Sequence, residues 1–328
     1  MTKGLESDYA ARALTESRRT KRQRRIQQLE IPEDQVTLTD VLLGKGGFGE
    51  VFLADFSGIN AAAKVIQVDN EQPRPAGQGD GVCTDGECIA RPTYEQARQR
   101  RLFKRELETM TRLNSSHTVR VYGAITSRVD RFVLVMELMT GGDLRTLLRQ
   151  AEASFPRDRA LGIISNICFG MAFLHKKGAV HGDLKSANVL FDRCGTAKIA
   201  DFGTAKWVQH GVSTGLATTY LGTKATNSTQ MSIPWTAPEV LDNDPASFKS
   251  DVYSFGIIAW EIASRQMPWA GLNGRMIFRR VVFAGDRPEI PNDATEEMKD
   301  VIRSCWSADP TARPNFCEIL DTMKSWTT

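Results

Sequence analysis

The spacing of apolar residues changes character once along this chain, near Gly141-Gly142, and that change limits the folds open to it. Before it, Val36–Leu43, Glu50–Phe56 and Ala61–Val68 are short β-prone runs separated by Gly44–Gly49 and Ser57-Gly58-Ile59-Asn60. That is the turn chemistry of tight loops between antiparallel strands. Helical periodicity runs from about Tyr94 to Leu113, and two more strand-like runs cover Val119–Thr126 and Arg131–Glu137. Beyond the glycine pair, apolar stripes at helical spacing occupy 143–151, 158–177, 249–265, 275–284, 296–305 and 315–325. A strand-rich first third joined to a helix-rich remainder predicts an α+β chain of two unequal lobes.

The charge is unevenly placed. The whole chain of 328 residues carries a formal +3, with 41% hydrophobic and 25% charged residues, which excludes disordered and collagen-like classes. Residues 1–30 hold eight basic groups against four acids, a net +4, so the rest of the chain is nearly neutral at −1. A polyanionic partner is therefore an expectation for the tail alone, and nucleic acid is not expected to bind the body. Residues 1–33 read as a basic flexible extension. Within it the run Ser17–Arg25 fits an import-receptor signal, a contact with an anionic surface, or a solvated helix face.

Six cysteines (Cys83, Cys88, Cys168, Cys194, Cys305, Cys317) follow no framework spacing. The N-terminus is polar, without the apolar core of a signal peptide. The stretch Ala160–Leu174 is broken by Ser165 and Asn166 and falls short of the ~20 residues that span a bilayer. The expectation is a reducing cytoplasmic or nuclear compartment, with no transmembrane segment.

The segment 69–93 holds three prolines, four glycines and several acids, and reads as a flexible surface insertion. Cys83 and Cys88 lie within it, with no nearby His to complete a zinc set.

Chemistry concentrates in a few places. Gly44-Lys45-Gly46-Gly47-Phe48-Gly49 is a glycine loop whose backbone N–H groups no Cβ obstructs. A dinucleotide-binding turn needs a helix after the glycines, whereas Glu50–Phe56 alternates like a strand. An ordinary hairpin stays open as an alternative. Fifteen residues past Gly49, Lys64 stands in the apolar run Ala61–Ile66 and needs an anion there; Glu106 is the best protein candidate. Asp183, Asn188 and, thirteen residues later, Asp201 supply hard oxygen ligands or a proton acceptor.

The order His181-Gly182-Asp183-Leu184-Lys185-Ser186-Ala187-Asn188, Asp201-Phe202-Gly203, Ala237-Pro238-Glu239, Asp251–Gly256 and Cys305-Trp306…Arg313 resembles that of the eukaryotic protein kinases over roughly residues 37–324. The resemblance implies a bilobal kinase fold: an N-lobe over 34–140 containing the 69–93 insertion, and a C-lobe over 141–325. It implies ATP and Mg²⁺ as cofactors and proteins as substrates. Gly44, Gly46 and Gly49 would cover the ATP phosphates, and Lys64, paired with Glu106, would contact the α/β-phosphates. Leu43, Val51, Ala62 and Leu190 would enclose the adenine, and the backbones of Glu137 and Met139 would hydrogen-bond its edge. Asp183 would orient and deprotonate the attacking hydroxyl, Lys185 would steady the transferred phosphoryl group, and Asn188 and Asp201 would hold Mg²⁺. Glu239 with Arg313 resembles the family's structural ion pair, and Asp251 would brace the catalytic loop.

Lys185 and Ser232 match the serine/threonine kinases, Ser232 falling where those enzymes place a hydroxyl that reaches the catalytic Asp and Lys. Trp235-Thr236-Ala237-Pro238-Glu239 looks like the tyrosine-kinase version of its motif. The mixture is similar to the tyrosine-kinase-like group of Ser/Thr kinases. The alternatives are a tyrosine or dual-specificity enzyme and a pseudokinase scaffold. A pseudokinase usually lacks one of Lys64, Asp183, Asn188 or Asp201, and all four are present. The main departure is Gly182, where the family usually has an arginine that clamps a phosphorylated activation segment.

Overall fold

The computed structural model describes residues 29–46, 49–67, 82–84, 87–89, 103, 107, 110–128, 130–150, 156–201, 206–207 and 232–327. Among these the chain forms two compact units. One takes in residues up to Arg112 together with Val121–Glu137; the other takes in Leu113–Arg120 and the chain from Leu138 onward.

The first unit is a five-stranded antiparallel sheet. Its strands in chain order are β1 (Val36–Gly46), β2 (Gly49–Phe56) and β3 (Ile59–Gln67). A separate hairpin follows, β4 (Val82–Thr84) with β5 (Glu87–Ile89), and then β6 (Val121–Ile125) and β7 (Arg131–Glu137) complete the main sheet in the order β1-β2-β3-β7-β6. Side chains alternate between the faces, so Ala61, Ala63 and Val65 of β3 join Ile31, Val36, Ala54, Ile125, Val133 and Val135 in one apolar cluster. On the other face Phe132 of β7 stacks against Phe103 with ring centroids 4.7 Å apart. Phe103, Leu107 and Met110 are buried at i, i+4 and i+7, the apolar stripe of a helix lying on a sheet.

Two segments expected to be flexible contain backbone pairing. Leu29 and Ile31, within the expected extension, pair with the sheet. Ile31 donates its N–H to the Ala124 carbonyl and Ala124 donates to that of Leu29, each at 2.9 Å, which extends the sheet beside edge strand β6. Ile31 is buried in the cluster, and Glu30 Oε1 accepts both the backbone N–H and the hydroxyl of Thr126. Residues 1–28 lie outside the described residues. In the insertion, expected as a flexible loop, β4 and β5 pair with Cys83 opposite Cys88. Asp85-Gly86 between them is a two-residue hairpin turn signal.

The second unit is mainly helical: α1 (Leu144–Gln150), α2 (Arg157–Lys176), the short α3 (Pro238–Leu241), α4 (Phe248–Ser264), α5 (Gly274–Phe278), α6 (Glu296–Cys305) and α7 (Phe316–Lys324). Its small strands include β8 (Ala179–Val180), β9 (Val189–Phe191) and β10 (Ala197–Ile199), with β9 and β10 paired. Leu113–Arg120 belongs to this unit because Val119 donates to the Ile199 carbonyl at 2.8 Å and Ile199 to that of His117 at 2.9 Å.

Helix α4 is its centre. Ser247 caps the helix by accepting the Ser250 N–H at 3.1 Å, while the Ser250 hydroxyl accepts the Ser247 N–H at 2.9 Å. Every residue from Ser250 to Ile262 is buried, so the helix is enclosed on all sides and its few polar groups must find partners. No helix among the described residues is long and apolar enough to cross a membrane.

Candidate active site

In the first unit, β1 and β2 form the glycine hairpin, with Gly44 opposite Val51, Lys45 opposite Glu50 and Gly46 opposite Gly49. An exposed Lys45–Glu50 ion pair at 2.8 Å ties its two arms. Gly49 is required by packing. Its φ is +138°, and a Cβ there would stand 2.2 Å from the Val65 carbonyl oxygen. Lys64 on β3 lies opposite Val51 of β2 and Leu134 of β7, and Ala62 lies opposite Met136. Residues opposite in a sheet share a face, so Val51, Ala62 and Lys64 line one surface. Leu43 is exposed on β1, and Glu137 ends β7. Glu106, the expected partner of Lys64, lies outside the described residues.

In the second unit the segment after β8 is fastened from below by one carboxylate. Asp251 of α4, 1% exposed, accepts the N–H of His181 through Oδ2 at 2.8 Å and that of Gly182 through Oδ1 at 2.9 Å. His175 Nε2 lies 2.9 Å from the same Oδ2. His181 is fully buried, and its tautomer follows from its neighbours. The Asp183 N–H can only donate, so Nδ1 accepts it at 3.3 Å; Nε2 then carries the hydrogen and donates to the Ala200 carbonyl at 3.1 Å. Ala200 in turn donates its N–H to the Asn188 carbonyl at 2.9 Å. The residue before Asp201 is thereby tied both to the catalytic-loop histidine and to Asn188.

The side chains on this frame converge. Lys185 Nζ lies 2.7 Å from Asp183 Oδ2 and 2.9 Å from the Ser232 hydroxyl. Asn188 donates Nδ2 to the Asp183 carbonyl at 2.8 Å and to Asp183 Oδ2 at 3.3 Å. With the amide nitrogen so engaged, Oδ1 is the Asn188 atom turned to other partners. Asp201 adopts φ +61°, a left-handed geometry that Asp tolerates better than bulkier residues. The donors of Asn188 and Asp201 are hard oxygens, which fit Mg²⁺ rather than a soft metal. Leu190 lies on β9, and Met139 follows the end of β7 at half-buried exposure.

Two structural groups frame this region. Arg313, with no exposed side-chain surface, forms a bidentate pair with Glu239 at 2.7 and 2.9 Å. Glu261, which sequence reasoning passed over, accepts the Ser186 hydroxyl at 2.8 Å and the Trp235 indole N–H at 2.7 Å. Burial pushes its carboxyl up to about 7, against the opposing pull of those two hydrogen bonds and of Arg145 and Arg149. The signal for it was a lone acid inside the apolar run Phe255–Ile262.

Comparison with known proteins gives the family. A family model described as "Protein tyrosine and serine/threonine kinase" matches residues 88–323. Among curated relatives, the serine/threonine-protein kinase CTR1 of Arabidopsis thaliana is 32% identical over 86% of this chain and 30% of its own length. The serine/threonine-protein kinase STY17 of the same plant is 32% identical over 71% of this chain and 39% of its own length. Protein-tyrosine kinase 6 of Mus musculus is 32% identical over 89% of this chain and 56% of its own length. The chain thus spans between about a third and a little over half of these relatives. On its motifs, its sheet-and-helix units and this match, the chain belongs to the protein tyrosine and serine/threonine kinase family.

Proposed function

We propose that this protein transfers the γ-phosphoryl group of ATP to serine and threonine hydroxyls of protein substrates. The observation that carries the choice of hydroxyl is Lys185 Nζ held between Asp183 Oδ2 and the Ser232 hydroxyl. The relatives CTR1 and STY17, both named serine/threonine kinases, support the same choice.

In this reading Asp183 accepts the hydrogen bond of the incoming hydroxyl and takes its proton as the oxygen attacks phosphorus. Lys185 neutralises charge on the transferred group and, through Ser232, is kept in one position. Lys64 binds the α/β-phosphates, with Glu106 as its expected partner. Gly44, Gly46 and Gly49 lie over the phosphates, where backbone N–H groups stabilise charge. Leu43, Val51, Ala62 and Leu190 contact the adenine, and Glu137 and Met139 offer it backbone groups. Bound through Asn188 and Asp201, Mg²⁺ would supply neutralisation of phosphate charge. The units act as N-lobe and C-lobe, and the basic tail of residues 1–33 serves as a contact for an import receptor or an anionic surface in a cytoplasmic or nuclear setting.

The test is incubation of wild-type and Asp183→Asn protein with labelled ATP, Mg²⁺ and generic protein substrates, followed by phosphoamino-acid analysis. Phosphoserine or phosphothreonine in the wild type alone is the expected result. Phosphotyrosine alone would overturn the choice of hydroxyl, and ATP binding without transfer would make the protein a scaffold.

A further inference from the structure

Strands β4 (Val82–Thr84) and β5 (Glu87–Ile89) form a two-stranded sheet of their own. Their register sets Val82 opposite Ile89, Cys83 opposite Cys88 and Thr84 opposite Glu87. Successive residues of a strand alternate between faces, and opposite residues share one. Val82, Thr84, Glu87 and Ile89 therefore belong to one face of the ladder, and the other face belongs to the cysteine pair.

Asp85 and Gly86 are the two residues between the strands. A two-residue connection makes the flanking pair, Thr84 with Glu87, the hydrogen-bonded one. Hydrogen-bonded and non-hydrogen-bonded pairs alternate along an antiparallel ladder. Cys83 and Cys88 are thus a non-hydrogen-bonded pair, the closer kind, with Cα atoms about 4.5 Å apart. Disulfides span Cα separations of about 4.4–6.8 Å. The pair stands at the short end of that range, where closure needs no movement of the backbone and where strain makes the bond easier to reduce again. A two-stranded hairpin is marginal in water without further support, so a covalent link across it changes how long it stays paired. Cys168, Cys194, Cys305 and Cys317 are free thiols, the first and third buried, the others exposed.

We propose that Cys83 and Cys88 are a reversible disulfide site, closed by low-molecular-weight disulfides such as oxidised glutathione. One cysteine thiolate attacks a sulfur of the oxidant, forming a mixed disulfide and expelling one glutathione thiolate. The second cysteine thiolate attacks the sulfur of the first, closing the Cys83–Cys88 bond and expelling the second glutathione. Two protein thiols are oxidised, one glutathione disulfide is reduced to two thiols, and the two protons pass from the cysteines to the glutathiones. The link lies outside the groups assigned to phosphoryl transfer and is independent of that assignment.

The experiment equilibrates the reduced full-length protein with glutathione buffers of varied thiol-to-disulfide ratio. Acid quenching, alkylation, proteolysis and mass spectrometry then report each cysteine. The peptide carrying both Cys83 and Cys88 is expected to lose two hydrogen atoms and escape alkylation as the ratio falls, and dithiothreitol is expected to restore both thiols. Exposed Cys194 and Cys317 are the internal controls, taking glutathione singly. The double variant Cys83→Thr/Thr84→Cys keeps two cysteines in the same segment but sets them on opposite faces of the ladder. Its effective thiol concentration is expected to fall at least about tenfold below that of wild type, towards the millimolar value of a flexible link. Amide hydrogen exchange over 82–84 and 87–89 is expected to slow when wild type is oxidised, which checks the register without any variant. Thiols that stay open to alkylation at every ratio, or stable glutathione adducts without closure, overturn the site. Closure of the register variant to within about twofold of wild type, or exchange unchanged by oxidation, overturns the hairpin as its basis.

Discussion

Asp251 Oδ1 accepts the backbone N–H of Gly182 at 2.9 Å, and Gly182 presents that N–H with φ at +76°. The bond closes the start of the catalytic loop onto α4 by bending the backbone into the left-handed region. Any side chain at 182 would meet the local steric cost of that region, which glycine avoids. Glycine also leaves position 182 without a side-chain charge beside Asp183. Conformational ease and the absence of charge both follow from glycine at this position.

The first prediction follows from this pair. Gly182→Ala is expected to destabilise the protein by about 1 kcal/mol, a fall of about 2–4 °C in Tm for the unit that carries it. Activity of the wild type is expected to survive phosphatase treatment, because residue 182 has no charge to pair with a phosphorylated residue in the segment between Asp201 and Glu239. Thermal denaturation and kinase assays before and after dephosphorylation check both parts. A requirement for phosphate at one residue of that segment would contradict the second.

Asp201 offers a separation of chemistry from folding. Its φ of +61° suits Asn almost as well as Asp, so Asp201→Asn preserves the backbone while removing the charge. Phosphoryl transfer is expected to drop by at least about 100-fold, with Tm changed by less than about 2 °C. Near-normal transfer in this variant would remove Asp201 from the metal-binding set.

The Glu239–Arg313 pair is expected to show the opposite pattern. Arg313→Leu takes away the bidentate partner of Glu239 together with hydrogen bonds to the carbonyls of Ser307 and Lys249, each at 2.9 Å. Removing one member of a buried pair costs about 3–5 kcal/mol, so urea unfolding should shift by that amount. At temperatures where the variant remains folded, KM for ATP is expected to stay close to that of wild type.

Glu261 carries a pH dependence whose direction is set by burial. Its carboxyl is raised from 4.5 to about 7 in the folded chain, so the folded state holds this proton more tightly than the unfolded state. The stability it contributes is therefore greatest below pH 4.5 and declines as pH rises from 4.5 to about 7. The difference in unfolding free energy between wild type and Glu261→Gln should narrow or widen across that window by on the order of 3 kcal/mol, always against the wild type as pH rises. Denaturant titrations of both proteins at several pH values measure it, and parallel curves would show that Glu261 does not titrate there.

The catalytic loop was legible in the sequence because its chemistry is local: Asp183, Lys185 and Asn188 lie within six residues, and their mutual contacts follow from one short turn. The strands of the first unit were legible for a similar reason, since glycine-rich and Ser57-Gly58 turns force neighbouring runs to pair. The hairpin at 82–89 carried its own turn signal in Asp85-Gly86, but prolines and glycines around it gave the whole stretch the composition of a loop. The packing of Ile31 left no such trace, because an isoleucine at the end of a charged tail is placed against a sheet edge more than ninety residues further along the chain.

What the sequence determined by itself was the inventory and order of the family's motifs, and with them the groups proposed to bind nucleotide and move a phosphoryl group. Strand and helix periodicity and short-range spacing are properties of the chain alone. The tertiary structure decided which polar groups answer one another across long separations. Asp251 meets a backbone 69 and 70 residues away, and Glu261 joins Ser186, 75 residues away, to Trp235. An acid buried in an apolar helix must be satisfied, but which donors satisfy it depends on which segments the packed helix brings within about 3 Å.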